Sequence, residues 1–260
     1  MILFRQLIPL LVCVAASHSS YGQAVAVTAT LDRPQIKVGE SATLHVYAQI
    51  VPALRAGSDR IFSWYVDVLD SNGPIAQLDP AGLLKTASDN NPQISSPGKP
   101  QGANLRAIYD TFINGPGAGR DTAVELFSIP IHATGVGSAV FTIQAGTTIP
   151  ELAEDFIVAP SAGGDPFVGG DYSAASVTLT IPLEPPQLHI ALRPDPDTQK
   201  PEAVLSFDVV PGANYFVEFR DSLDPQSAWQ PLPGGPHNSG QIVDPLGPAA
   251  RFYRLRALLQ

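Results

Sequence analysis

Cysteine is all but missing from this 260-residue chain. The single one, Cys13, lies inside an apolar N-terminal run, and once that run is removed no thiol remains. Disulfide staples, thiolate metal sites and a cysteine nucleophile are excluded together. Long hydrophobic runs are also scarce. The stretch from Leu7 to Ala16 is far short of the ~20 residues that a membrane span needs. Charge is sparse and one-sided, with 15 Lys plus Arg against 24 Asp plus Glu and a formal net charge of −9. Such a surface repels the phosphate backbone, so no nucleic-acid partner is expected. Catalytic signatures are lacking as well. There is no G-x-S-x-G to expose a nucleophile, and no H-E-x-x-H or paired histidine spacing for a zinc site. His45, His132, His189 and His237 are scattered and read as ordinary strand or loop residues.

What the N-terminus does carry is an address. MILFRQLIPLLVCVAASHSSYG has one early positive charge at Arg5, a short apolar stretch and then small and polar residues. That order is a secretory signal peptide over residues 1–22, cut after Gly22. Val12 before Cys13 is too large for a lipoprotein site. The mature chain loses Arg5 and no acid, so its charge becomes −10. The expectation is a secreted protein, extracellular or periplasmic, with no membrane span.

Proline and glycine are abundant, 26 and 22 residues respectively, and strong helix-forming runs are few, which predicts an all-β protein of short strands joined by turns. The organising stretch is Asp121 to Gly146. Phe127, Ile129 and Ile131 alternate with polar or constrained neighbours, as do Phe141 and Ile143, and Thr134 to Ser138 supplies a turn between them. The pattern predicts a local hairpin whose apolar face needs a second sheet. Pro130 has no N–H to give a ladder and predicts an edge or a bulge. Other strands are expected over Val25–Thr30, Ala42–Ile50, Ile61–Leu69, Leu105–Asp110 and Ala175–Ile181. The Pro, Asn, Ser and Gly of Asp79–Gln101 predict mostly surface loop. Pro182 to Gln187 is a stiff linker, after which Leu188–Leu192, Ala203–Val209, Tyr215–Phe219 and Arg251–Arg256 alternate as four further strands. The expected organisation is a two-sheet β-sandwich over 23–182, a linker over 183–187 and a smaller β domain over 188–260.

Taken in order, the strand near Val25, the Val38-Gly39-Glu40 turn, the Trp64-bearing strand, ELFSIPIHATGVGSAVFTIQAG, the Gly- and Asp-rich loop and the closing VTLTI resemble a bacterial cohesin-type domain. Cohesins share their jelly-roll sandwich with cellulose-binding modules. The resemblance covers roughly 24–182 and implies a non-catalytic module that engages a protein docking segment or a polysaccharide. The Asp79–Gln101 stretch departs from that pattern. Tyr215, Ser222-Leu223, Trp229 and Phe252-Tyr253-Arg254 resemble the small fibronectin-like modules at the C-termini of secreted bacterial proteins, which act as spacers or attachment elements.

Candidate sites follow from residue type. Neighbours on a strand face opposite ways, so with Trp64 in phase with the core, Tyr65 is expected to point outward and, with Tyr47, to form an aromatic platform for a sugar. Asp165 and Asp171, beside flexible glycines, are candidate Ca²⁺ ligands, and Asp67, Asp70 and Asn72 form a second such set. No other cofactor is implied. Glycoside hydrolysis would need two carboxylates across a sugar; Glu151 with Asp155, or Asp165 with Asp171, would supply them in a secreted polysaccharide hydrolase, the alternative to a binding module. A purely structural surface protein is the third reading. Trp229 is expected in the small C-terminal core, and Phe252, Arg254 and Arg256 on one face of the last strand.

Overall fold

The computed structural model describes residues 25–50, 60–85, 94–111, 123–146, 156–159, 167–169, 174–247 and 250–260. The first eleven strands are β1 (Val25–Leu31), β2 (Ser41–Ile50), β3 (Arg60–Asp70), β4 (Ala76–Leu78), β5 (Ile94–Gln101), β6 (Asn104–Thr111), β7 (Val124–Ala133), β8 (Gly137–Ala145), β9 (Phe156–Ala159), β10 (Phe167–Gly169) and β11 (Ala175–Ile181). Six more follow: β12 (His189–Pro194), β13 (Pro201–Ser206), β14 (Ala213–Arg220), β15 (Gln230–Pro231), β16 (Gln241–Pro245) and β17 (Phe252–Leu259). A single 3₁₀ turn at Pro80–Gly82 is the one helical element among the described residues, with the Ala81 N–H capped by the Asp79 carboxylate. The protein is an all-β double sandwich. Among the described residues no helix is long and apolar enough to cross a membrane.

The first sandwich stacks the sheet β1-β2-β7-β4 on a larger sheet, β10-β9-β3-β6-β5 with β8 and β11 attached, and every pairing within the two sheets is antiparallel. One edge of β3 is shared, with β9 along Arg60–Trp64 and β8 along Val66–Asp70. The expected β7–β8 hairpin is not one. β7 pairs with β2 and β4, whereas β8 pairs with β3 and β11, so the Thr134–Val136 turn carries the chain from one sheet to the other. The physical reason lies in the two apolar faces. Each arm has a row to bury, Phe127, Ile129 and Ile131 against Phe141 and Ile143, all fully buried, and facing across the core satisfies both rows at once.

Pro130 is a second correction. β7 is interior, with β2 on one side and β4 on the other. Its missing N–H causes no defect, because β4 ends at the Leu78–Ile131 pair, the 3₁₀ turn bows out opposite Pro130, and pairing resumes at Leu84–Ser128. The Pro130 carbonyl still accepts from the Asp79 N–H at 2.9 Å. The Asp79–Gln101 stretch also contains more order than expected. β5 is an edge strand paired to β6 through a turn at Gly102, which has φ +62°, and Pro97 and Pro100 sit where an edge tolerates them.

The second sandwich stacks β12-β13-β16 on β15-β14-β17. Its buried centre is Ala203, Leu205, Phe207, Ala213, Tyr215, Val217 and Leu232. The rings of Phe207 and Tyr215 lie 5.4 Å apart. The four expected strands are present, and β15 and β16 complete the two sheets.

Candidate functional site

Strand alternation decides which side chains the first sandwich displays. On β2 the even-numbered Leu44, Val46, Ala48 and Ile50 are buried, so Ser41, Thr43, His45, Tyr47 and Gln49 share the outer face. A bulge between Val46 and Tyr47 adds one residue to β7. Leu126 and Phe127 can therefore both turn into the core while Glu125 stays outside opposite Tyr47. His132 stands opposite Ser41 and next to Gln77 of β4.

The register thus assembles a polar platform across three strands. His45 Nδ1 lies 2.5 Å from Glu125 Oε1, and the His45 ring lies roughly parallel to Tyr47 with centroids 6.4 Å apart. Toward the other end, Ser41 Oγ lies 2.5 Å from His132 Nδ1, and His132 Nε2 lies 3.7 Å from Asp79 Oδ2. Hydroxyl, imidazole and carboxylate follow one another as in a hydrolytic triad. The rest of such a site is not assembled. Asp79 stands beyond hydrogen-bond reach of the imidazole, and its other oxygen already accepts from the Ala81 N–H at 3.0 Å. His132 is half exposed on the outer face of the sheet. What the arrangement can do is present donors, acceptors and one aromatic ring to a partner surface.

Tyr47 belongs to this platform, but Tyr65 does not. Tyr65 lies on β3, in the opposite sheet, and is 2% exposed, which overturns its expected outward display. It does face away from Trp64, as alternation requires, yet this outer face is itself covered. The Tyr109 ring meets it edge-on at 6.0 Å. Gly146 lies flat beneath it, so close that a Cβ there would stand 2.3 Å from the ring. The Tyr47–Tyr65 sugar platform is therefore not formed. Trp64 is buried as expected and stacks on Phe127 at 5.8 Å.

Of the candidate cation ligands, Asp165 and Asp171 lie outside the described residues, as do Glu151, Asp155 and the signal segment. Asp67, Asp70 and Asn72 do not converge. Asp67 is buried on the outer face of β3, where Arg106 Nη1 and the Ala107 N–H both donate to it at 2.8 Å. It thereby fixes a bulge in β6 at which Ala107 takes φ +60°. Asp70 ends β3 and accepts from the Asn72 N–H at 2.8 Å through Oδ1. Its Oδ2 is buried with no hydrogen-bond partner among the described residues. Burial pushes the Asp70 carboxyl above its ordinary value, only partly offset by the Asn72 N–H. Among the described residues no three His, Cys, Asp or Glu side chains are grouped to hold a metal.

A buried ion pair escaped the sequence reading altogether. Asp110, wholly buried, faces the core side opposite Trp64, and Lys85 Nζ reaches it at 2.9 Å and also contacts Ser95. In the second sandwich, Trp229 is not in the core. It sits half-buried on the outer face of β14 and β17, between the guanidinium groups of Arg220 at 4.6 Å and Arg254 at 4.5 Å. Arg254 and Arg256 both pair with Glu218.

No family profile matches the sequence, and no curated protein matches it. Among solved structures the chain is similar to CaCohA2 of Clostridium acetobutylicum, with a TM-score of 0.39, 14% identity and coverage of 60% of this chain and 90% of that one. It is similar to the second type II cohesin of the ScaA scaffoldin of Acetivibrio cellulolyticus, with a TM-score of 0.41, 12% identity and coverage of 60% and 96%. It is also similar to the sixth cohesin of scaffoldin B from the same organism, in complex with the Cel5 dockerin, with a TM-score of 0.38, 12% identity and coverage of 58% and 97%.

Proposed function

We propose that this chain is an exported, non-catalytic docking protein, and that the outer face of β1-β2-β7-β4 binds a segment of another protein. The observation that carries the reading is the platform of Ser41, His45, Tyr47, Glu125 and His132, which is polar and spread along the outer faces of β2 and β7. Small substrates need concave sites that bury most of their surface, whereas a sheet face with one half-exposed aromatic suits a protein partner. The 2.5 Å Ser41–His132 contact favours a hydrolase as the second reading, and it supplies a clean discriminator.

The test is capture of secreted proteins on the immobilised full chain, beside turnover of activated esters. Retention of a discrete protein that is lost in Tyr47→Ala and Glu125→Ala, with Ser41→Ala still ester-inactive like wild type, is the expected result. Capture indifferent to both face variants overturns the platform. Ester turnover that disappears in Ser41→Ala makes the protein an enzyme.

A further inference from the structure

Two short turns, one from each sandwich, meet backbone to backbone. The Val136 N–H donates to the Pro211 carbonyl at 2.8 Å. On one side of this bond a Cβ added to Gly135 would stand 2.7 Å from the Pro211 oxygen, and on the other a Cβ added to Gly212 would stand 2.0 Å from the Val136 oxygen. Any side chain at either position would force the two main chains apart. Gly212 also takes φ +86°, a conformation that glycine adopts without strain.

Each turn is tied to its own sandwich. Thr134 and Gly135 donate their N–H groups to the Ile75 carbonyl at 2.9 and 3.1 Å, and the Thr134 hydroxyl donates to the Pro74 carbonyl at 3.0 Å. Gly212 leads directly into β14, and its carbonyl accepts from the Gln260 N–H just beyond β17 at 2.9 Å. The 182–187 connection lies alongside, where Leu183, Pro185 and Pro186 line a groove of about 310 Å³ with Val136, Val210 and Tyr215. Lys37 and Glu184 add an exposed ion pair at 3.2 Å.

We infer that the close main-chain approach of Gly135 to Pro211 and of Gly212 to Val136 locks the two sandwiches into one rigid body, so that the proline-rich connection is a strap across a fixed joint rather than a swivel. Stiff proline segments separate modules when nothing else joins them. Here the joint is made by main-chain groups, with no rotamers to immobilise and a hydrogen bond that ionic strength does not screen. The Lys37–Glu184 pair is exposed and contributes little. The lock has a consequence for geometry. β7, which carries Glu125 and His132, runs straight into the joint, so the orientation of the platform is fixed relative to the C-terminal sandwich. The inference stands whether or not the platform binds a protein.

The experiment is measurement of residual dipolar couplings on the ¹⁵N-labelled full chain in a weakly aligning medium, comparing amides of β2 and β7 with those of β13 and β14. One alignment tensor for both sandwiches is expected, unchanged between low and high salt and unchanged in Lys37→Ala. Gly135→Val is expected to split it into two tensors while each sandwich keeps its own amide dispersion. Gly135 is not in the left-handed region, and two of the three atoms nearest to a Cβ there belong to Pro211 across the joint, the third being the Ile75 Cγ2 methyl at 2.8 Å. Two tensors in the wild-type chain would overturn the lock outright, whatever the variant does. A single tensor in a folded Gly135→Val protein would overturn the glycine contact as its cause.

Discussion

The two sandwiches place their charges in opposite ways. In the first, the carboxylates of Asp67 and Asp110 are wholly buried, each matched by one cation, Arg106 or Lys85. In the second, charge is gathered at the surface and spread over planes. Arg220 and Arg254 enclose Trp229, Arg251 lies over Phe219 at 4.1 Å, and Glu218 holds two arginines. Size explains the difference. The first sandwich covers both faces of its middle strand, so a charge on β3 or β6 must be paired or be ruinous. The second has too few strands to cover much. Every residue of its edge strand β12 is exposed, and cation–π contacts on a wet surface add stability where apolar area is short.

The largest effect is expected where a buried pair is broken from one side. Asp110→Ala leaves Lys85 charged and shut in, and a pair broken this way costs about 3–5 kcal/mol. Asp110→Leu combined with Lys85→Met removes both charges and should return most of that loss. Denaturant midpoints of the two proteins would decide it. If the single and double variants are equally unstable, the pair is not what holds this end of the sandwich and the contrast between the sandwiches weakens.

Two buried carboxylates of the second sandwich, Glu202 paired with Arg193 and Asp244, are the exceptions that sharpen the comparison, and Asp244 is the more heavily bonded. Arg251 Nη1 donates to both Asp244 oxygens, at 3.1 and 2.8 Å, and the Tyr253 hydroxyl donates at 2.6 Å. These bonds hold the Arg251 guanidinium above its ordinary value, and burial with the Asp244 contact pushes the Tyr253 phenol well up from 10.0. Asp244→Ala is expected to lower stability by about 2 kcal/mol, the range for hydrogen bonds to a charged group. Because only this small unit is touched, its thermal transition should fall while amide exchange in β2 and β7 stays unchanged. Equal loosening of both sandwiches would mean that they do not differ in how charge supports them.

Much of this architecture was legible in the sequence, and the failures have physical causes. Alternation placed Leu44, Val46 and Ala48 on one face and His45 and Tyr47 on the other, because period two is a local property. Pairing partners are not local. Phe127 to Ile131 and Phe141 to Ile143 read equally well as hairpin arms or as opposed layers, since both satisfy the same apolar rows. The Ser41–His132 and His45–Glu125 contacts depend on β2 lying beside β7, about ninety residues away in the chain, and nothing in either strand announces the other. Tyr65 failed for a related reason: alternation says which face a side chain takes, and cannot say whether that face is itself covered. Trp229 was assigned by hydrophobicity to a core, when its neighbours in space are arginines from two other strands.

The smallest effect is expected at Asp70, which tests whether an unmatched buried carboxylate of the first sandwich is tolerated only because it holds its proton more tightly. Its pKa is raised in the folded protein by burial. The folded state therefore keeps that proton to higher pH than the unfolded chain does, and the stability tied to the neutral carboxyl is complete below the unfolded value near 3.8 and lost as pH rises through the folded one. Asp70→Asn removes the titration. Its Oδ1 can still accept the Asn72 N–H, while the new amide nitrogen replaces an unpartnered oxygen and is itself unpartnered, so the net gain is about 0.5 kcal/mol. That gain should be present at pH 7 and absent at pH 3, read as the difference in melting temperature between variant and wild type across the range. A variant that is less stable than wild type at pH 7 would show that the Asp70 carboxyl contributes there as it stands, and that a raised proton affinity is not what makes it tolerable.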